Sequence, residues 1–198
     1  MNIAVLLYNG VADLDALSLY GVLGATTTSL DEEALNLYTV ARSRMSVQTA
    51  GGLVVTPHWA FMSAPPPDVL VIPGGDVDTV KKDRAVMAYL GEHAARVQRC
   101  LAVGSGAFLL GELGLLRDLE ATAWAGALER LRDYEVGAIQ DAPVVKNANG
   151  FWFAGGGARA LDAGLALAYD LFGAEVAQAV ALRLELPAPD TGLTQDRP

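Results

Sequence analysis

Three short apolar runs, each ending in a glycine-containing turn, constrain the fold of this 198-residue chain more than any other feature. They are Ile3–Tyr8 before Asn9-Gly10, Asp68–Ile72 before Pro73-Gly74-Gly75, and Cys100–Val103 before Gly104-Ser105-Gly106. An apolar run without polar alternation predicts a strand that is buried on both faces, as in a parallel sheet. Helical patterns between the runs predict crossover helices. The expected fold is therefore α/β, a three-layer sandwich with a mostly parallel central sheet of flavodoxin-like type.

The remaining patterns complete this alternation of strands and helices. Helices are predicted over 11–23, 82–97, 107–116, 123–131, 158–171 and 174–184, and strands over 35–41, 46–49, 53–56, 142–146 and 150–154. Ser29 and Glu32 match a helix capping box. We expect a single domain over residues 1–187. Residues 188–198 are rich in Pro, Asp and Thr, which predicts a flexible C-terminal tail.

Composition excludes several classes of function. With 14 Lys+Arg against 23 Asp+Glu, the chain has a net charge of −9, and no nucleic-acid partner is expected. One cysteine cannot form an internal disulfide, and one cysteine with two distant histidines gives no zinc-site spacing, so no metal or cofactor is expected. No apolar run reaches about 18 residues and no signal-peptide pattern follows Met1. These features predict a cytoplasmic protein without membrane contact.

The turn after the third apolar run has the geometry of a nucleophile elbow. A strand, the tight turn Gly104–Gly106 and a helix follow one another there, and the turn residue is held near helix N–H groups that can lower a thiol pKa or stabilise an oxyanion. The carboxyl ends of parallel strands meet at one edge of a sheet. Gly74, Gly75, Gly104 and Gly106 are therefore expected to gather at one binding site.

Several strings together resemble the ThiJ/PfpI superfamily, which has the class I glutamine-amidotransferase-like fold. The strings are Asp68–Gly75, Gly106–Leu110, Gly114–Leu116, Ala121-Thr122 and Gly155–Asp162. The resemblance runs from Ile3 to about Pro187 and is strongest to the branch that contains isonitrile hydratases and the sensor domains of some AraC-type regulators. It implies a homodimer.

The chain departs from that branch at the elbow. The branch usually has Val-Cys-Thr-Gly-Ala-Phe, whereas residues 103–108 here are Val-Gly-Ser-Gly-Ala-Phe, so Gly104 takes the position of the nucleophile. Trp124 lies where the branch has a histidine, which is either replaced or deleted. The resemblance implies that Asp15 is the carboxylate that contacts the family cysteine, and that Gly74 and Gly75 present N–H groups to an oxyanion. Covalent catalysis of this kind needs a thiolate, and glycine has no side chain to supply one.

Three functions stay open on this evidence. The preferred one is a non-catalytic family member that binds a small molecule, with Trp124 lining or filling the pocket. The first alternative is a hydratase or hydrolase, isonitrile hydratase-like or amidase-like, that uses Ser105 and Asp15. Ser105 would need an activating base, and neither His58 nor His93 lies near the elbow in sequence. The second alternative is a ligand-sensing regulatory domain. Cys100 is interpreted as a buried strand residue.

Overall fold

The computed structural model describes residues 1–27 and 35–187. The strands of this part of the chain are β1 (Asn2–Leu6), β2 (Asn36–Ala41), β3 (Val47–Gln48), β4 (Val54–Val55), β5 (Trp59–Ala60), β6 (Val69–Ile72), β7 (Arg99–Val103), β8 (Glu120–Ala121), β9 (Ala138–Ile139), β10 (Val144–Lys146) and β11 (Phe151–Ala154). The helices are α1 (Asp13–Thr26), α2 (Val77–Val80), α3 (Arg84–His93), α4 (Gly106–Glu112) and α5 (Arg159–Arg183), with 3-10 turns at Ala125–Ala127 and Glu129–Asp133.

A seven-stranded sheet in the order β10-β11-β7-β6-β1-β2-β5 forms the middle layer. Every neighbouring pair in it is parallel except β10 and β11, which are antiparallel. Strands β3 and β4 form a separate antiparallel pair, and β8 and β9 form a parallel pair. The predicted α/β sandwich around a mostly parallel sheet is confirmed.

Both faces of the sheet are covered, which explains the unbroken apolar runs. Along β1, Ile3 and Val5 pack into one cluster with residues of α1 and α5, whereas Ala4 and Leu6 pack into the other with residues of α3 and α4. Successive side chains of a strand point to opposite faces, so a strand between two helix layers has no polar side. The carboxyl ends of β1, β6 and β7 lie side by side, since these strands are neighbours and parallel.

Element boundaries differ from the predictions for local reasons. The helix predicted over 82–97 extends only from Arg84 to His93, and it begins at Arg84 because Asp83 caps its first turn, accepting hydrogen bonds from the backbone N–H groups of Ala85 at 2.9 Å and Val86 at 3.4 Å. The pattern over 123–131 forms two 3-10 turns instead of a helix. The predicted break between the two C-terminal helices is confirmed, because Gly173 interrupts α5 with a non-helical φ of 85° and ψ of 176°. The capping pattern at Ser29 and the tail over 188–198 lie outside the described residues.

Helix α5 is long and apolar enough to cross a membrane by length and composition alone. It packs along α1, and its Ala163 and Leu167 are fully buried beneath the sheet. A core helix of a water-soluble domain passes the same test, so this single helix is weak evidence for a span. The absence of membrane contact stays a prediction.

Two buried tyrosines provide a test of the packing around α3. The hydroxyl of Tyr38 donates to the carbonyl oxygen of Pro65 at 2.5 Å, whereas the buried hydroxyl of Tyr89 has no hydrogen-bond partner among the described residues. Because an unpaired buried hydroxyl costs stability, Tyr89→Phe is expected to raise the free energy of unfolding by about 1 kcal/mol, and Tyr38→Phe to lower it by about 1 kcal/mol. Urea denaturation of the two variants checks this. A less stable Tyr89→Phe would contradict the unpaired hydroxyl.

Candidate functional site

Gly104 forms the elbow between β7 and α4 and has a φ of 57°. This left-handed conformation favours glycine, because a Cβ atom crowds the backbone there. A Cβ on Gly104 would lie 2.8 Å from Oδ2 of Asp15 and 3.3 Å from the Cα of Gly156. A side chain at this position would therefore start directly against the Asp15 carboxylate. The turn keeps the geometry of an elbow and supplies no reactive atom from its central residue.

Asp15 is a buried carboxylate on α1, with 3% of its surface exposed. Its Oδ2 accepts a hydrogen bond from the backbone N–H of Gly74 at 3.1 Å, and its Oδ1 accepts one from Gly157 at 2.7 Å. Burial raises the pKa of Asp15, and the two hydrogen bonds oppose that rise only in part. The side chain thus joins the loops after β6 and β11 beneath the elbow.

Ser105 makes a closed pair of hydrogen bonds with Gly75. Its hydroxyl donates to the carbonyl oxygen of Gly75 at 3.1 Å and accepts from the N–H of Gly75 at 2.9 Å. The resemblance assigns the N–H groups of Gly74 and Gly75 to an oxyanion. The N–H of Gly75 is instead bonded to the side chain of Ser105. No base receives the Ser105 proton in this arrangement, although a serine nucleophile needs one.

Asp15 and Ser105 lie close together. In the described part of the chain, no hydrogen bond joins their two side chains directly. Oδ2 of Asp15 and Oγ of Ser105 lie 2.7 and 2.9 Å from the point that a Cβ on Gly74 would occupy, so their separation cannot exceed the sum of these distances. One water molecule can bridge two oxygens at such a separation. The structure thus brings the two candidate catalytic residues to one place, with Gly74 between them.

A cavity of about 310 Å³ lies in front of the elbow. Gly75, Ser105 and Trp124 are among its lining residues, and half of the Trp124 surface is exposed. Asp15, Gly74, Gly104 and Gly106 do not line this cavity. Of the seven predicted site residues, three therefore line this cavity and four do not.

One wall of the cavity combines charge with an aromatic ring. The guanidinium of Arg130 lies 4.4 Å from the ring centroid of Phe108 and is paired with the carboxylate of Asp78. This cluster was not predicted from the sequence, because its members are far apart in the chain and only Phe108 lies in one of the strings that resemble the family. The hydrogen bond from Gly157 to Asp15 was not predicted either, although the glycines at 155–157 mark a turn where backbone N–H groups can be exposed.

Other candidate groups lie away from the elbow. The Nδ1 of His58 lies 2.7 Å from the Oγ1 of Thr39, and the ring of His93 packs 4.5 Å from that of Tyr89. Cys100 is buried inside β7, and burial raises its thiol pKa. Within residues 1–27 and 35–187, no group of three or more His, Cys, Asp and Glu side chains is placed to hold a metal ion.

The family is decided by comparison with known proteins. The model of the DJ-1/PfpI family matches residues 1–164. The chain belongs to the DJ-1/PfpI family. It is also 32% identical over 203 aligned positions to an isonitrile hydratase of Pseudomonas putida, covering 100% of this chain and 85% of that protein. The resemblance found in the sequence is confirmed.

Solved structures of DJ-1/PfpI proteins are similar over the whole fold. A ThiJ/PfpI family protein from Pseudomonas syringae superimposes with a TM-score of 0.83 and 27% identity, covering 100% of this chain and 76% of that one. Drosophila melanogaster DJ-1beta superimposes with a TM-score of 0.82 and 18% identity, covering 94% of this chain and 98% of that one. At this identity, the similarity shows only that the two chains share a fold. This chain therefore shares the DJ-1/PfpI fold, and Gly104 forms its turn between β7 and α4.

Proposed function

We propose that this chain is a non-catalytic member of the DJ-1/PfpI family that binds a small molecule in the cavity in front of the elbow. The observation that carries the proposal is Gly104, which takes the elbow position at φ 57° with the Asp15 carboxylate directly against it. A thiolate is the group that covalent chemistry at this elbow requires, and the one cysteine of the chain is buried in β7. A protein that binds a small molecule in this way would act as a ligand-sensing domain.

The bonding around Ser105 supports the same conclusion. Its hydroxyl is held by Gly75 as both donor and acceptor, so the proton points to a carbonyl oxygen and not to a base. Neither histidine reaches it, since His58 is bonded to Thr39 and His93 packs on Tyr89. A serine in this state has the low nucleophilicity of an ordinary alcohol.

Activity measurements on the full chain test the proposal. With an alkyl isonitrile, methylglyoxal or a short peptide as substrate, we expect no turnover above the protein-free blank at any pH between 5 and 8, because neither Gly104 nor Ser105 supplies an activated nucleophile at the elbow. Ser105→Ala is the matched variant and is expected to give the same blank rate. Turnover by the unmodified protein that Ser105→Ala removes would overturn the proposal.

A second candidate function, hydration of an isonitrile, is favoured by two observations. The Pseudomonas putida relative is an isonitrile hydratase, and Asp15 and Ser105 lie close enough for one water molecule to bridge them. Hydration adds the elements of water across the terminal carbon and the nitrogen, which gives an N-substituted formamide. Asp15, with its raised pKa, would protonate the terminal carbon while the bridging water attacks it; the added water then returns a proton to the Asp15 carboxylate, and the resulting imidic acid tautomerises to the formamide as its hydroxyl proton moves to nitrogen. This mechanism requires that Asp15→Asn and Ser105→Ala each abolish turnover, and that the rate falls as pH rises and Asp15 loses its proton.

The expected homodimer and cytoplasmic location stay predictions. Exposed apolar side chains do occur near the start of α1 and on the β3–β4 pair, namely Leu14, Leu17, Leu53 and Val54. The two elements are tied together, because the carboxylate of Asp13 accepts hydrogen bonds from Thr49 at 2.5 Å and Gly51 at 2.7 Å. An apolar surface of this kind is what a second copy of the chain would cover.

A further inference from the structure

A second, larger cavity lies on the other side of α2 from the elbow cavity. It has a volume of about 580 Å³ and lies at the carboxyl ends of β1 and β2. Thr79 and Val80 of α2 line it, whereas Val77 and Asp78 of the same helix line the elbow cavity. We propose that this second cavity is a separate binding site for a small uncharged molecule with an apolar body and one hydrogen-bonding end.

The floor of the second cavity is apolar and buried. Leu7 and Ala41 at the strand ends, Val47 of β3, Val80 of α2 and Val86 of α3 line it, and each is at most 8% exposed. All five belong to the main hydrophobic cluster. Such a surface gains stability when an apolar group replaces water against it. The volume lies within the range of small-molecule sites in proteins.

The charges at the mouth of the second cavity favour an uncharged ligand. Its two charged lining residues, Arg42 and Asp83, are paired with each other at 3.3 Å. An ionic ligand would lose hydration on entry without finding an unpaired counter-charge. Arg42 and Asp83 already neutralise each other. A neutral molecule can therefore occupy the apolar surface without losing the hydration of a charged group.

Two neutral groups at the mouth can bind the polar end of the ligand. Oδ1 of Asn9 accepts from the N–H of Gln48 at 2.9 Å, whereas its amide nitrogen has no protein partner among the described residues. The hydroxyl of Thr79 has none there either. Met45, which is 77% exposed, lies at the same opening. Its unbranched thioether can pack against ligands of different shapes.

Fluorescence titration with N-phenyl-1-naphthylamine, a neutral apolar amine, tests the proposal on the full chain. We expect saturable one-to-one binding, and at least about tenfold weaker binding of the sulfonated analogue 8-anilinonaphthalene-1-sulfonate, a difference of about 1.4 kcal/mol. Val86→Trp fills the floor and is expected to remove binding. Thr79→Phe obstructs the mouth from an exposed position, so it gives an answer even where Val86→Trp does not fold. Trp124→Ala changes only the elbow cavity and is the control.

The outcomes separate this site from the elbow cavity and from the proposed function. Loss of binding in Thr79→Phe with unchanged binding in Trp124→Ala supports the second cavity, whatever the elbow does in activity assays. Three results would overturn the proposal: no saturable binding, equal affinity for the sulfonated analogue, or binding that survives Thr79→Phe and disappears in Trp124→Ala.

Discussion

Gly75→Ala is expected to cost more than about 4 kcal/mol of folding free energy and to leave little folded protein, because its side chain would collide with backbone atoms. Gly75 has a φ of 141°, and its Cβ would overlap the carbonyl oxygen of Gly10 and lie 2.7 Å from the Cα of Val11. The two loops cannot separate easily, since Ala12 donates to the carbonyl oxygen of Gly74 at 2.8 Å and Asp76 to that of Gly10 at 2.9 Å. Circular dichroism with urea denaturation measures the effect.

Gly21→Ala is the matched control for this substitution. Gly21 lies in the interior of α1 on an exposed surface, and, apart from its chain neighbours and the helix's own backbone, no atom of the described residues lies within 4 Å of the position of its Cβ. Alanine there is expected to raise the free energy of unfolding by about 0.5–1 kcal/mol, because it restricts the unfolded chain without strain in the helix. A Gly75→Ala protein with the denaturation midpoint of the unmodified chain would contradict the close contact between Gly75 and the loop at Gly10 and Val11.

Asp15→Ala is expected to lower the free energy of unfolding by about 2–4 kcal/mol at neutral pH, the second-largest effect. The substitution removes the acceptor from the N–H groups of Gly74 and Gly157, which then have no partner beneath the elbow. Part of the loss is offset because a buried carboxylate is removed with them. Urea denaturation measures the change. Full stability in Asp15→Ala would show that water replaces the carboxylate at no cost.

The pH dependence of Asp15→Asn isolates the charge of the same residue. The pKa of Asp15 is higher in the folded than in the unfolded protein, so folding favours its protonated form. The stability that this provides is fully present below the unfolded pKa of about 3.9 and is lost as pH rises through the folded value. The free-energy difference between the unmodified chain and Asp15→Asn should therefore shift in favour of the unmodified chain as pH falls from 7 to 4. A shift in the opposite direction would mean that the two hydrogen bonds outweigh burial.

Much of the fold was predictable because its signals are local. The apolar runs that end at Tyr8, Ile72 and Val103 lie between two helix layers. Burial of both strand faces therefore appears in the sequence as apolar residues that do not alternate with polar ones. Helix ends were less predictable. The start of α3 depends on one side-chain cap at Asp83, and the pattern over 123–131 does not distinguish an α-helix from the two 3-10 turns that form there.

The sequence predicted seven site residues, of which Gly75, Ser105 and Trp124 line the elbow cavity, and it did not predict how they are bonded. The elbow sequence indicated the missing thiol, and the resemblance implied a role for Asp15. The partners of Asp15 lie 59 and 142 residues away, and those of Ser105 lie 30 residues away. Hydrogen bonds over such distances depend on how three loops meet at one sheet edge, which no local pattern encodes.

The sequence by itself determined the layered fold, the family and the absence of a nucleophile at position 104, because each is a property of residue type and order. Only the tertiary structure decided that Asp15 bonds two glycine N–H groups, that Ser105 is held by Gly75, and that α2 separates two cavities. These arrangements follow from side chains and backbone groups that packing brings together from distant parts of the chain. The physical reason is that a buried polar group needs a hydrogen-bond partner close to it in space, and that partner can lie anywhere in the sequence.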